Sequence, residues 1–310
     1  MDWIKGIQNA INYIEANILD TLDAKEISKR AYVSNFHFQR TFNLLTGITV
    51  GEYIRNRRLT LAGIELTMSD MKIIDIAFKY GYDTPESFSR AFTRFHGVTP
   101  TAAKKSGSKL KSYSPLSIHV TLKGGDTLNY RIEEKEAFNV IAKVKRFLID
   151  DPINEVEIPH FWMACYRDHT IKELQMLSYK HSYGHSSKHG PNKKPSPMVG
   201  DGLFGICDSS PKDQTYFNYA IGVESRMNNV PDSCQKIHMP SATWAVFTCT
   251  GPMPKSIQHM WKRIYSEFLP QSDYEQIQGI DFEYYTIGDN SKLDYTSEIW
   301  LPVTKKVSTF

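Results

Sequence analysis

Two stretches of this chain repeat each other about fifty positions apart, and that duplication constrains the fold more than any other feature. Ile27 to Thr49 reads ISKRAYVSNFHFQRTFNLLTGIT, and Asp75 to Pro100 reads DIAFKYGYDTPESFSRAFTRFHGVTP. Phe38, Arg40, Phe42, Gly47 and Thr49 recur 50 positions on as Phe88, Arg90, Phe92, Gly97 and Thr99, whereas Ile27 recurs 49 on as Ile76. The one-residue difference falls between the two apolar patches of each copy, where a turn absorbs an insertion at least cost. Packing alone rarely produces such self-similarity; a duplicated supersecondary unit does.

Each copy reads as a short helix, a turn and a second helix. In the second copy Ile76, Ala77 and Tyr80 hold helical spacing, and Gly81 supplies positive φ for the turn. Asp83 or Thr84 caps the next helix, with Pro85 near its first position. Phe88, Phe92 and Phe95 then make one face apolar, opposite Glu86, Ser87, Ser89, Arg90, Thr93 and Arg94. A helix that packs on one side and shows short polar groups and arginines on the other suits a DNA major groove. Ile4, Ile7, Ile11, Ile14 and Ile18 predict an amphipathic helix bracing the first copy. Val50 to Thr67 predicts a long helix between the copies, whose Arg55, Arg57 and Arg58 are either phosphate contacts or ordinary surface charge.

With FxRxF in each copy, the GYDTPESFSRAFTRFHGVTP run and the connecting EYIRNRRLTLA, the first third of the chain resembles the DNA-binding domain of AraC/XylS-type transcription regulators. The resemblance implies two recognition helices entering adjacent major-groove segments of one duplex face. It implies base reading by Phe36, Gln39 and Arg40 with His37 near phosphate, and Pro85, Glu86, Ser87 and Arg90 as second-half counterparts. Double-stranded DNA and RNA polymerase are the partners it implies.

Charge supports the division. The net charge of +3 separates into +5 over residues 1–112 and −2 over residues 113–310. Positive charge therefore gathers where phosphates would be met. Cys165, Cys207, Cys234 and Cys249 are too widely spaced for a paired zinc or redox motif and are expected as reduced thiols of a cytoplasmic protein. The amino terminus lacks a signal-like apolar core, and Met239 to Pro254, the longest uncharged run, is broken by proline and glycine, so no membrane span is expected.

Beyond Ala103–Pro115, a Lys/Ser/Gly-rich stretch that reads as a linker, the pattern changes. Ser117 to Leu122 and Leu128 to Ile132 alternate like strands around a Gly124–Gly125–Asp126 turn. Phe138 to Val144, Leu203 to Cys207, Phe217 to Val223, Thr243 to Thr248, Phe282 to Ile287 and Tyr295 to Leu301 are further strands. Pro159 to Met176 and Lys255 to Phe268 predict helices. The expected architecture is multidomain: an all-α tandem helix-turn-helix domain over 1–108, a linker with a first strand over 109–127, and an α+β domain with antiparallel pairing over 128–310.

The segments YRIEEKEAFNVIAKV, YFNYAIGVES, IHMPSATWAVFTCTGPMPKSIQHMWKRIYSEFLP, DFEYYTIGD and DYTSEIWLPV resemble, in order, the GyrI-like effector-binding domain. That resemblance implies two pseudo-symmetric halves, a cleft between them, and a small amphipathic cationic effector. Strand alternation places Glu298 with Trp300 and Glu283 with Tyr285. A carboxylate beside aromatic rings is costly to bury unless a cation or donor meets it. The sequence favours Glu298 as the ligand acid ahead of Glu283, with Trp162, Trp244, Trp261, Tyr284, Tyr285 and Trp300 as walls. Each of these rings also suits a plain core, and Glu298 could instead bond a neighbouring Arg or Tyr. His181, His185 and His189, four apart in a Gly/Pro-interrupted stretch, read as a loop rather than a metal site. No nucleophile elbow, P-loop, zinc-protease or dinucleotide fingerprint is present, so neither a catalytic residue nor a cofactor is expected. The competing class is a small-molecule hydrolase using a buried Glu, fused to a DNA-binding head.

Overall fold

A computed structural model describes residues 3–105, 108–118, 127–149, 154–178, 197–209, 215–227 and 230–306. They form two compact units, Met1–Thr121 and Leu122–Phe310. The expected turn over 124–126, most of the strand proposed from Ser117, and the three histidines of the 178–197 stretch lie outside the described residues.

The first unit is helical: α1 (Trp3–Ala16), α2 (Ala24–Arg30), α3 (Asn35–Thr46), α4 (Val50–Met68), α5 (Ile73–Lys79), α6 (Pro85–His96) and α7 (Pro100–Ala103). The duplication is visible atom by atom at the helix ends. Ser34 and Thr84 cap α3 and α6 by accepting the amides of His37 and Ser87, three residues on. Thr49 and Thr99 do the same for α4 and α7. Gly47 and Gly97 close α3 and α6 at φ 76° and 81°, the left-handed conformation glycine adopts without cost. Each second helix buries a Phe-x3-Phe pair: Phe38 and Phe42 beside Tyr53, and Phe88 and Phe92 beneath Tyr82.

Helix α4 carries the bracing charges. Arg57 Nε and Nη2 donate to the two Glu15 oxygens of α1 at 2.9 and 2.8 Å, and the Tyr53 hydroxyl donates to Glu15 at 2.6 Å. Arg58 donates to the carbonyls of Ile18 and Asp20, and its guanidinium fills the space above Gly81, where a Cβ would sit 2.6 Å from Nη1. Of the three arginines read as either phosphate contacts or surface charge, Arg57 and Arg58 are neither, being committed to holding α1 and the second turn, and Arg55 stays exposed.

The stretch expected as a linker is strapped to the helices over residues 110–118. The amides of Lys111, Tyr113, Leu116 and Ile118 donate to His96 Nδ1, Thr60 Oγ1, the Tyr53 hydroxyl and Gln8 Oε1, while Arg57 donates to the Tyr113 carbonyl. The strap thus ties the second helix-turn-helix copy to α4 and α1. His96, 4% exposed, also meets the Leu59 carbonyl through Nε2 at 3.0 Å, so the neutral ring donates at one nitrogen and accepts at the other. Burial pulls its pKa down. The unfolded chain then binds the proton more readily, so the ring's contribution is complete above about pH 6.5 and fades below it. Stability of the helical unit is expected to fall by up to about 1.4 kcal/mol per pH unit as pH drops under 6.5. Urea midpoints at pH 7.5 and 5.5 check this; His96→Gln should flatten the difference.

The second unit is one antiparallel sheet with helices: β1 (Tyr130–Lys135), β2 (Phe138–Leu148), α8 (Asn154–Arg167), α9 (Thr170–Leu177), β3 (Leu203–Asp208), β4 (Tyr216–Glu224), β5 (Gln235–Met239), β6 (Ala242–Thr250), α10 (Lys255–Arg263), β7 (Tyr274–Gln276), β8 (Ile280–Tyr285) and β9 (Thr296–Lys305). Helix α10 runs on through a π-helical segment, Ile264–Phe268, and a last turn, Leu269–Gln271. The helix expected from Pro159 starts earlier, at Asn154, and breaks at His169, whose φ of 65° starts α9 anew; Asp168 accepts the Thr170 amide there and is held by Lys143.

The strand order is β1-β6-β9-β8-β3-β4-β2-β5, with β7 on β9. Exchange β1, β2, β3 and β4 for β5, β6, β8 and β9 and the order reads the same backwards, so the unit has two halves related by a twofold between β3 and β8. Each half lends its first strand to the other: β1 pairs β6, and β5 pairs β2. In a flat sheet β2 and β8, three steps apart, would be separated by about 14 Å. The rings of Phe138 and Phe282 are 6.4 Å apart, so the sheet curls around an aromatic filling that includes Phe204, Trp244 and Trp300.

Candidate functional site

In the helical unit the residues expected at DNA fall into three groups. Glu86 and Arg90 on α6 are exposed, and Pro85 and Ser87 partly so. Arg40 on α3 is partly exposed and lies 5.9 Å from the Phe36 ring centroid; Phe36 and Gln39 are buried, at 8% and 7% exposure, with Gln39 Nε2 turned to Asn35. His37 is partly covered. Burial, and then the charge of Arg40, hold its pKa down at about 3, so its imidazole is neutral near pH 7 and offers a hydrogen bond rather than a charge. The Phe-x3-Phe pairs set where the arginines point: Arg40 and Arg90 each follow the first Phe by two residues, on the side away from the core.

The effector-side residues divide between the two sheet faces. Beneath α8 and α10 lie Glu283 and Tyr285, met by Trp162 of α8 and Trp261 of α10. Trp261 Nε1 donates to one Glu283 oxygen at 2.7 Å and the Tyr285 hydroxyl to the other at 2.5 Å. Trp162 stands edge-on to Tyr285, centroids 5.2 Å apart, and its Nε1 donates to the Tyr219 hydroxyl at 2.9 Å. Burial, and then the Glu283 charge, push the Tyr285 phenol well up, so it remains a donor. Gly205 faces Glu283 across the β3–β8 ladder.

The opposite face holds Glu298, Trp300, Trp244 and Tyr284. Arg131 Nη1 reaches Glu298 at 2.8 Å and Trp300 Nε1 donates to it at 2.9 Å, so this acid already has a cation and a donor. Arg131 and Lys135 each lie 5.5 Å from the Trp300 ring centroid, and that ring stacks on Phe282. Trp244 is fully buried, and its Nε1 finds no hydrogen-bond partner among the described residues. The Tyr284 hydroxyl accepts the Gly202 amide. The eight expected residues therefore form two constellations rather than one.

Tyr219 and Gly205 were not anticipated. No local pattern marks them; a second repeat marks only the tryptophans they meet, since His160–Phe161–Trp162 with Tyr166, and His259–Met260–Trp261 with Tyr265, place an HxWxxxY pattern on each helix, 99 positions apart. Both tryptophans point their indole nitrogens at the central strands, one to Glu283 and one to Tyr219. Glu224, 2% exposed, was also missed; it accepts the amides of Met198 and Val199, and burial raises its pKa. Among the described residues no His, Cys, Asp and Glu cluster is placed to hold a metal, and no helix is long and apolar enough to cross a membrane.

Comparison with known proteins assigns both units. The GyrI-like small molecule binding domain matches residues 128–304, and a helix-turn-helix domain matches residues 27–106. Regulatory protein SoxS of Salmonella typhimurium is 40% identical over 95 residues, 31% of this chain and 89% of that protein. The transcriptional activator AarP of Providencia stuartii is 35% identical over 95 residues, covering 31% and 70%. Transcriptional regulator Rob of Salmonella typhimurium is 22% identical over 297 residues, 94% of either chain. With duplicated helix-turn-helix units at one end and a pseudo-twofold sheet at the other, the chain belongs to the AraC-type, DNA-binding transcription regulators that carry a GyrI-like small-molecule-binding domain.

Proposed function

We propose that Glu283, rather than Glu298, is the acid that holds the effector, and that the effector is a small amphipathic cation. The observation that carries this is the contrast between the two acids. Glu298 has its own arginine. Glu283 takes its two hydrogen bonds from Trp261 and Tyr285, beside Trp162, and among the described residues no cation pairs with it. A carboxylate so placed retains an unneutralised charge, which a cation with aromatic or apolar groups balances while its rings pack on the walls. Calorimetric titration of the full chain with tetraphenylphosphonium tests it: stoichiometric binding is expected, and an ester-bearing aryl cation recovered unhydrolysed after binding would separate a sensor from a hydrolase.

On the DNA side, Arg40 and Arg90 are the base readers, with Glu86, Ser87, Pro85 and the neutral His37 around them at bases and phosphate; Phe36 and Gln39, which are buried, contribute less. Residues 1–108 read DNA, 109–127 lead from them to the second unit with 110–118 fastened to the helices, and 128–310 sense. The regulator works in the cytoplasm, and RNA polymerase is its protein partner. Arg40→Ala is expected to cost about 1–3 kcal/mol in specific binding and to relax preference at one base pair. Competition gel shifts on an operator recovered by random-pool selection measure both; an unchanged site preference would remove Arg40 from the readers.

A further inference from the structure

Gly205 occupies the middle of β3, between Ile221 of β4 and Glu283 of β8. Glycine weakens a central strand, and the backbone here is extended, so alanine would meet no conformational obstacle. The reason for glycine is space. A Cβ at this position would lie 2.6 Å from the Tyr219 hydroxyl, 3.2 Å from Tyr285 Cε2 and 3.4 Å from Trp162 Cζ2. Tyr219 is only 3% exposed and holds Trp162 through its hydroxyl, so its ring has little room to retreat.

We propose that Gly205 is a positioning residue for the effector site. Its missing side chain lets the Tyr219 hydroxyl settle over the strand, hold the Trp162 indole against Tyr285, and so build the aromatic wall beside Glu283. The shape of that wall determines how an aryl cation seats next to the carboxylate. This role rests on the reading of Glu283 as the effector acid, and the test separates the two.

Three measurements on full-length Gly205→Ala test this. In the effector-free protein, the indole N–H resonance lost in Trp162→Phe is expected to move in Gly205→Ala, while that of Trp261 stays. Tyr219→Phe removes the oxygen that the new methyl group would meet, so its destabilisation and that of Gly205→Ala should combine to less than their sum. Calorimetry with tetraphenylphosphonium is expected to show about tenfold weaker binding for Gly205→Ala. If Glu283→Gln binds the probe as the parent does, or the parent does not bind it, the acid's assignment fails and the resonance and coupling results alone judge Gly205. An unmoved Trp162 resonance overturns the proposal. So does a moved resonance with unchanged affinity in a protein whose binding depends on Glu283.

Discussion

Arg57→Ala is expected to destabilise the helical unit by about 3 kcal/mol, more than any other single change to a charged residue there. The guanidinium makes a two-pronged pair with Glu15 and also reaches the Tyr113 carbonyl of the strap, so its loss frees α1 and the strap together. The Glu15 side chain is 21% exposed, which lets water soften the penalty and keeps the figure at the low end for a broken buried pair. Burial pushes the Glu15 carboxyl up, but the hydrogen bonds from Arg57 and Tyr53 outweigh it and leave the pKa lowered. The pair's contribution is therefore complete above the unfolded acid's pKa of about 4.3 and disappears as pH falls below it. Native-state amide exchange across α1 and α4 should show the loss in Arg57→Ala near neutral pH, with the acid-side dependence reduced. Arg57→Lys, which keeps the charge and forfeits the fork, should recover only part. Equal exchange in the parent and Arg57→Ala would mean that the pair does not brace the unit.

The second large effect concerns recognition. Glu283→Gln is expected to weaken binding of tetraphenylphosphonium on the order of 100-fold. Glutamine keeps the size of the side chain and can still accept from Trp261, so the aromatic walls should stay in place and the missing charge is what is measured. A neutral aryl probe of the same shape, tetraphenylsilane, is the control: its affinity should change little between the two proteins. Equal losses for both probes would mean that the substitution had collapsed the walls, and the carboxylate would lose its assigned role. Glu298→Gln, by contrast, should leave affinity near that of the parent, because Glu298 already answers to Arg131.

How much of this was legible in the sequence depended on how far apart the deciding residues lie. The helical unit was readable because its signals are local: a cap at Asp83 or Thr84, of which the structure uses Thr84, the turn glycine Gly81 and the repeated Phe-x3-Phe pairs all act within a few residues. The strap was not, since nothing in KLKSYSPLSI announces that its amides find His96, Thr60, Tyr53 and Gln8. In the sheet, alternation correctly joined Glu298 to Trp300 and Glu283 to Tyr285. It could not say which pair lay under the helices, because that follows from strand order. Arg131 reaches Glu298 only because β1 crosses to β6, a pairing more than a hundred residues apart in sequence. The edge strand β5 went unnoticed because its mostly solvent-facing residues, Gln235, Lys236 and His238, carry little apolar pattern.

The exchange of first strands between the halves of the sensing unit also governs how the protein comes into being. Neither half can close its own edge, and the middle of the sheet is finished only when β9, near the end of the chain, has paired with β6 and β8. The helical unit, Met1–Thr121, is encoded entirely upstream of those strands. During synthesis on the ribosome, every residue of the helical unit is therefore present before the strand that completes the middle of the sheet.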